Sequence, residues 1–115
     1  LEAVSAFTFM EMLRAGFTHV AEFHFLHHDR TGAPYAQPAE LSMRVLNAAA
    51  HAGIGITLVR AGFQHSGPDS PPAPEHRRFV DRDPEDSLRG RRRSAWLPPT
   101  GRRSSPIGTR FPPAF

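Results

Sequence analysis

Between Pro38 and Val59 the chain reads PAELSMRVLNAAAHAGIGITLV. Leu41, Val45, Ala48, Ala49 and Ala52 recur at helical spacing, and Gly53 is a natural stop. Pro38 suits the first helical position, with Glu40 in the first turn at the positive end of the dipole. Ile54 to Val59 is apolar nearly throughout and predicts a strand. Upstream, Thr18-His19-Val20-Ala21-Glu22-Phe23 is a short β-branched and aromatic run, a second strand candidate. A polar loop from His27 to Gln37, with Gly32 and Pro34, joins it to the helix. Strand, crossover helix and apolar strand imply a right-handed parallel βαβ unit.

Working outward, Val4, Phe7, Met10 and Leu13 are spaced as one face of an opening helix, which Phe9 and Met12 widen and Gly16 ends. The fold class is therefore α/β, in the order helix, strand, helix, strand. Parallel strands want both faces covered, so two of them expect neighbours. With Leu1 opening directly in a helical pattern, the chain reads as a piece of something longer.

From Arg60 onward that grammar lapses. Only two of the 12 prolines, Pro34 and Pro38, fall in residues 1–59. Gly67-Pro68-Asp69-Ser70-Pro71-Pro72-Ala73-Pro74 cannot continue a helix or a central strand. Asp83 to Leu88 has room for one helical turn after Pro84, and 89–115 is an aperiodic Pro/Arg-rich stretch expected to be disordered. The expected organisation is thus 1–59 as the α/β segment, 60–88 as a divergent loop with a short helix, and 89–115 as a tail. Arg, Pro, Gly and Ala dominate GC-rich DNA read in any frame. A frame slip between about Asp81 and Arg89 would account for the bias.

Charge divides at the same place. Residues 1–59 carry three arginines against five acids, and 60–115 carry eleven against six, giving the net +3. All 14 basic residues are arginine. A net +3 is not by itself a nucleic-acid binder's charge. Arg89-Gly90-Arg91-Arg92-Arg93 and Arg102-Arg103, with Trp96 as a stacking platform, form the only basic patch. The rival reading is a small Arg-rich interaction protein binding nucleic acid or an acidic partner. A patch with no fold to present it makes nucleic acid not the expected partner. Zero cysteines exclude a disulfide scaffold, a thiolate metal site and a cysteine nucleophile, and suit a reducing, cytoplasmic setting. No apolar run approaches the roughly 18 residues of a membrane span, and the opening residues lack a basic signal-peptide start.

The densest chemistry is Glu22-Phe23-His24-Phe25-Leu26-His27-His28-Asp29. Imidazoles and carboxylates are ordinary zinc ligands, and His24, His27, His28 and Asp29 would make a small metal site. The spacing matches neither a His-x-His strand pair nor His-Glu-x-x-His on a helix. A polar strand end whose histidines bond backbone carbonyls is the favoured reading, with Glu22 and His24 on one face and Phe23 and Phe25 on the other. His51 is expected to meet the negative end of its helix dipole, and His65 to lie near the strand ends. His19 and His76 have no partner evident in the sequence. No Gly-rich phosphate loop or Gly-x-Ser-x-Gly elbow is present.

Residues 11–29, EMLRAGFTHVAEFHFLHHD, closely resemble the formimidoylglutamate deiminase family of the metal-dependent amidohydrolase superfamily. The likeness continues through Pro34-Tyr35-Ala36, Pro38-Ala39-Glu40-Leu41-Ser42 and Ala52 to Leu58, with echoes at His65-Ser66-Gly67 and Arg77-Arg78-Phe79. It covers most of residues 5–59 and weakens towards 80. The resemblance implies a (β/α)8 barrel with one zinc, a small-molecule substrate and, for the intact enzyme, a homo-oligomer as one arrangement. The reaction it implies is hydrolysis of N-formimidoyl-L-glutamate to N-formyl-L-glutamate and ammonia in histidine degradation. The segment would supply the second and third strand units, with the end of the first strand opening on the barrel's C-terminal face.

The family's zinc ligands, a His-x-His pair on the first strand and a His and an Asp on later ones, would fall before Leu1 and after Phe115. No metal ligand and no catalytic residue is therefore assigned here, and the chain alone is expected to be inactive. One substrate-contacting position falls inside: the family places a tyrosine directly after Glu-Phe-His, where this sequence has Phe25. Arg60 also departs from an apolar stretch, and a charge there is hard to bury.

Overall fold

The structure, a computed structural model, describes residues 1–81, Glu85 and the backbone of Trp96 and Leu97. In chain order its elements are α1 (Glu2–Arg14), β1 (His19–His24), α2 (Glu40–Ala52), β2 (Gly55–Arg60), a 3-10 turn (Pro74–His76) and β3 (Trp96–Leu97). β1 and β2 pair in parallel from His19 opposite Gly55 to His24 opposite Arg60. β3 adds a third, antiparallel strand on the far side of β2, with Leu97 opposite Ile56 and Trp96 opposite Thr57. The sequence reading left 89–115 as a disordered tail and did not assign this strand. The remainder of that tail, its arginine clusters included, lies outside the described residues. So does the turn expected over Asp83–Leu88, apart from Glu85.

The expected βαβ unit is present, each strand one residue later than read from sequence. α2 begins at Glu40, two residues beyond Pro38. Pro38 instead belongs to a turn in which the Glu40 amide donates to the Gln37 carbonyl at 3.0 Å. Gly53 closes the helix with φ 85, a left-handed conformation that costs a side chain heavily and glycine little.

α2 is buried on a broad face. Leu41, Ser42, Val45, Leu46, Ala48 and Ala49 are all enclosed between the strands and α1. Val45, Leu46, Ala48 and Ala49, with Phe9, Ile54, Ile56 and Leu58, make the core, onto which Ala6, Met12, Leu13, Val20 and Ala52 pack. The face of α1 is shifted from the expected one: Phe9, Met12 and Leu13 pack inward, but Val4, Phe7 and Met10 do not. Val4 is 71% exposed and Phe7 62%, while Phe9 is buried. α1 is apolar on nearly all sides, so spacing alone does not choose a face. α2 chooses it, along the line Ala6, Phe9, Met12 and Leu13.

The helices cover one face of the sheet only. Val20 and its neighbours Ile56 and Leu58 lie on the covered face, whereas Phe23 is 66% exposed on the other. Residues 61–81 hold little regular structure, yet they fold back over the C-terminal ends of β1 and β2. The Ala61 amide donates to the His24 carbonyl at 3.0 Å, and the His27 and His28 amides both donate to the Arg78 carbonyl, at 3.0 and 3.1 Å.

Candidate functional site

All the chemistry-bearing residues that the structure gathers lie at the C-terminal ends of β1 and β2. The parallel register sets His24 beside Arg60 as the last pair. Past His24 the chain turns through Phe25 and Leu26, and His27 and His28 come back under the 61–81 segment. Both imidazoles are buried, as are His24, Arg60 and Asp81.

Arg60 does what an isolated charge there would not. Its Nη2 donates to Asp81 Oδ1 at 2.5 Å, with 4% of the Arg60 side chain and 1% of the Asp81 side chain exposed. Its Nη1 donates to His27 Nδ1. Arginine is permanently protonated, so that ring nitrogen must offer its lone pair. The opposite nitrogen, Nε2, then carries the hydrogen and donates to the Ala61 carbonyl at 2.8 Å. One neutral tautomer satisfies both partners. Burial, seconded by the Arg60 charge, pushes the His27 pKa down to about 4. The Ala61 bond and Asp81 oppose this without reversing it. The expectation that Arg60 is hard to bury thus fails for a definite reason: Asp81, twenty-one residues on, neutralises it.

The turn beyond is held by backbone and carboxylate. Asp29 Oδ1 accepts from the Thr31 amide (2.8 Å), the Thr31 hydroxyl (2.7 Å) and the Ala33 amide (2.9 Å). Those bonds favour the charged form and lower the Asp29 pKa, the Thr31 hydroxyl most of all. Arg78 Nε donates to the carbonyls of His28 and Asp29, and Arg77 Nε to that of Arg30. Gly32, with φ 89, lets the turn approach closely, since a Cβ there would stand 3.0 Å from the Arg77 Cβ. A shallow cleft of about 270 Å³ opens beside it, lined by His28, Gly32, Arg77, Val80 and Pro72 to Pro74.

Among the described residues, no group of three or more His, Cys, Asp or Glu side chains is arranged to hold a metal. Of the expected candidates, both His27 nitrogens are engaged and Asp29 Oδ1 is spent on its own turn. His24 Nε2 and His28 Nδ1 are buried without a hydrogen-bond partner but gather no third ligand. The zinc of the implied family therefore does not fit these residues. Glu22 and His24 do share the covered face, as expected from alternation.

Phe25 follows the last residue of β1 directly and is 44% exposed. His19, without an expected partner, bonds Thr57 Oγ1 across the strands at 2.9 Å. His76 accepts or donates at Ser66 Oγ, 3.0 Å away, with Phe63 and Phe79 against its ring. His51 is mostly exposed, with Glu2 3.9 Å away, and His65 is exposed. Sequence reasoning missed Asp81. Its only signal was a requirement: a buried arginine needs an acid, and nothing in the spacing says which.

Comparison with known proteins agrees with this geometry. The chain is similar to a formimidoylglutamate deiminase of Pseudomonas aeruginosa, 49% identical over 82 residues that make up 70% of this chain and 18% of that protein. A match of 82 residues is too long for residues 1–59 alone, so it takes in much of the 61–81 segment. The crystal structure of an amidohydrolase from Brucella melitensis superposes with a TM-score of 0.75 at 44% identity, covering 77% of this chain and 20% of that one. The chain thus spans about a fifth of the length of either protein. No protein-family profile matches it. Among the described residues no helix is long and apolar enough to cross a membrane.

Proposed function

We propose that this chain is a section of an amidohydrolase of the formimidoylglutamate deiminase kind, placed early in a (β/α)8 barrel in the cytoplasm. The intact enzyme would hydrolyse N-formimidoyl-L-glutamate to N-formyl-L-glutamate and ammonia. The observation that carries the reading is 49% identity across 82 residues. Likeness of that density through strand, turn and helix is the mark of common descent.

The chemistry that a zinc ion would supply in such an enzyme is activation of water and polarisation of the substrate. The described residues offer no place for it, so their part is structural and steric. β1 and β2 end together, and the turn after β1 brings Phe25 to the end of the sheet where barrel active sites open. There a tyrosine would present a hydroxyl to the substrate; Phe25 presents the same ring without it. The ring still excludes water and shapes the pocket, while one polar contact is lost. The chain by itself is inactive on this reading. The rival reading, a small arginine-rich interaction protein, has no observation in its favour among the described residues.

Grafting residues 1–81 onto the corresponding segment of the Pseudomonas aeruginosa enzyme tests the proposal. The zinc-loaded chimera should release ammonia from N-formimidoyl-L-glutamate with a raised KM, and Phe25→Tyr should lower that KM. A folded, zinc-loaded chimera without activity would overturn the proposal. Robust turnover by the 115-residue chain alone would overturn its inactivity.

A further inference from the structure

We propose that His27, Arg60 and Asp81 form an acid-labile clasp that fixes residues 61–81 over the turn carrying Phe25, and so regulates the geometry at the mouth of the candidate site. The meaning of that mouth rests on the amidohydrolase reading; the clasp itself rests only on the contacts. Three distant parts of the chain meet in it: the turn after β1, the last residue of β2 and the far end of the 61–81 segment. Each depends on the other two. Arg60 is neutralised by Asp81 and spends its second guanidinium nitrogen on His27. His27 in turn anchors the Ala61 carbonyl, where the segment departs. The Asp81 amide closes the far end on the Phe63 carbonyl at 3.0 Å.

A proton added to His27 must go to Nδ1, the atom that accepts from Arg60. The contact then sets donor against donor and cation against cation in a buried place. The groups around the ring do not absorb the charge. His24 and His28 stand 5.8 and 6.4 Å away, ring centre to ring centre, and offer no negative charge. Among the described residues the one facing acid is Asp81, 3.9 Å from Nε2 and already balanced by Arg60. Glu22 lies against His24 rather than His27. Relief requires Arg60 or His27 to leave, and either departure loosens the segment, leaving the Arg77 and Arg78 bonds as its remaining ties to Phe25's turn. The β1–β2 pairing contains none of these bonds and should outlast the opening.

Amide hydrogen exchange of the 115-residue chain between pH 7.5 and pH 4, corrected for intrinsic rates, tests the clasp. If His27 regains an ordinary pKa near 6.5 on opening, against about 4 when closed, protection at the His27, His28 and Asp81 amides should fall on the order of 100-fold. The Gly55 amide, bonded to the Thr18 carbonyl, should change far less. His27→Gln keeps an acceptor for Arg60 and a donor for Ala61 without a titrating ring, and should flatten the profile above pH 4.5. Equal loss at every amide, no loss down to pH 4, or an unchanged profile in H27Q would overturn the clasp. Ring ¹⁵N shifts of the unaltered chain give a second reading that needs no variant. His27 should remain the neutral Nε2–H tautomer at pH 5, and a charged ring above pH 6 with protection intact would also overturn it. Neither measurement involves deimination, so the clasp and the amidohydrolase reading fail separately.

Discussion

Asp81→Ala puts the packing of residues 61–81 to its hardest test. The Arg60–Asp81 contact is 2.5 Å long, with 4% and 1% of the two side chains exposed. Truncating one partner of such a pair strands a charge that cannot be neutralised, because arginine keeps its proton at any ordinary pH. The cost of that stranding is about 3–5 kcal/mol, against a total stability of roughly 5–15 kcal/mol for a typical domain. Arg60→Met removes the cation itself, so no permanent charge is left buried. The damage should therefore be smaller than in Asp81→Ala. Removing both charges together, Arg60→Met with Asp81→Leu, replaces the pair by apolar bulk and should recover most of the loss. Urea unfolding at pH 7, followed by circular dichroism, measures all three. The reasoning fails if Asp81→Ala costs less than about 1 kcal/mol, or if the double variant is as unstable as D81A.

Lowering the pH should destabilise the chain through His27. Its folded pKa of about 4 lies below the unfolded value, so only the unfolded state takes up the proton between pH 6.5 and 4. Full stability is present above 6.5, and up to about 3 kcal/mol is lost by pH 4, read as a falling Tm that H27Q should blunt. Phe9→Ala should cost about 3–5 kcal/mol in the same urea assay, whereas Phe7→Ala, on the exposed side of α1, should stay within about 0.5 kcal/mol. Gly32→Ala meets both a positive φ and the Arg77 side chain, and should loosen residues 61–81 in hydrogen exchange more than it lowers Tm. Glu40→Ala removes the exposed bonds from Arg44 and a favourable charge in the first turn of α2, and a loss above about 1.5 kcal/mol would contradict that surface role.

What was legible in the sequence follows from where local physics decides. Gly16 and Gly53 punctuate the helices because the chain there needs a positive φ, 95 and 85. Alternation placed Glu22 and His24 opposite Phe23 because a strand allows nothing else. Where several solutions satisfy the local rules, tertiary contacts chose. α1 is apolar on most sides, so its buried face belongs to α2. The prolines from Pro68 to Pro74 excluded an α-helix and a central strand, yet they said nothing against packing. Residues 61–81 dock through carbonyls, through arginine stems and through one buried ion pair. None of these carries a period. The histidine cluster was located at the right strand end, but its partner at Asp81 lay 54 residues from His27 and left no mark in the spacing.

The sheet itself explains why the site is a rim and not a centre. Helices cover the side of Val20, Ile56 and Leu58, while Phe23 and Val59 are exposed on the other side. A soluble two-layer domain would not place a phenylalanine at that position, since the uncovered face of a finished sheet is polar. On the proposed barrel reading this face, with Phe23 and Val59 beside the bonded His19–Thr57 pair, would form part of an inner wall with Phe25 at its upper edge. The buried charges sit on the opposite, helix-covered side, where they brace the strand ends from behind. On that proposal the wall would contribute shape, the rim one ring to a substrate pocket, and the ionic network the rigidity that keeps that ring in place. Catalytic groups need not be among them for the segment to matter to catalysis, because a displacement of about 1 Å at a positioning residue can cost two orders of magnitude in rate.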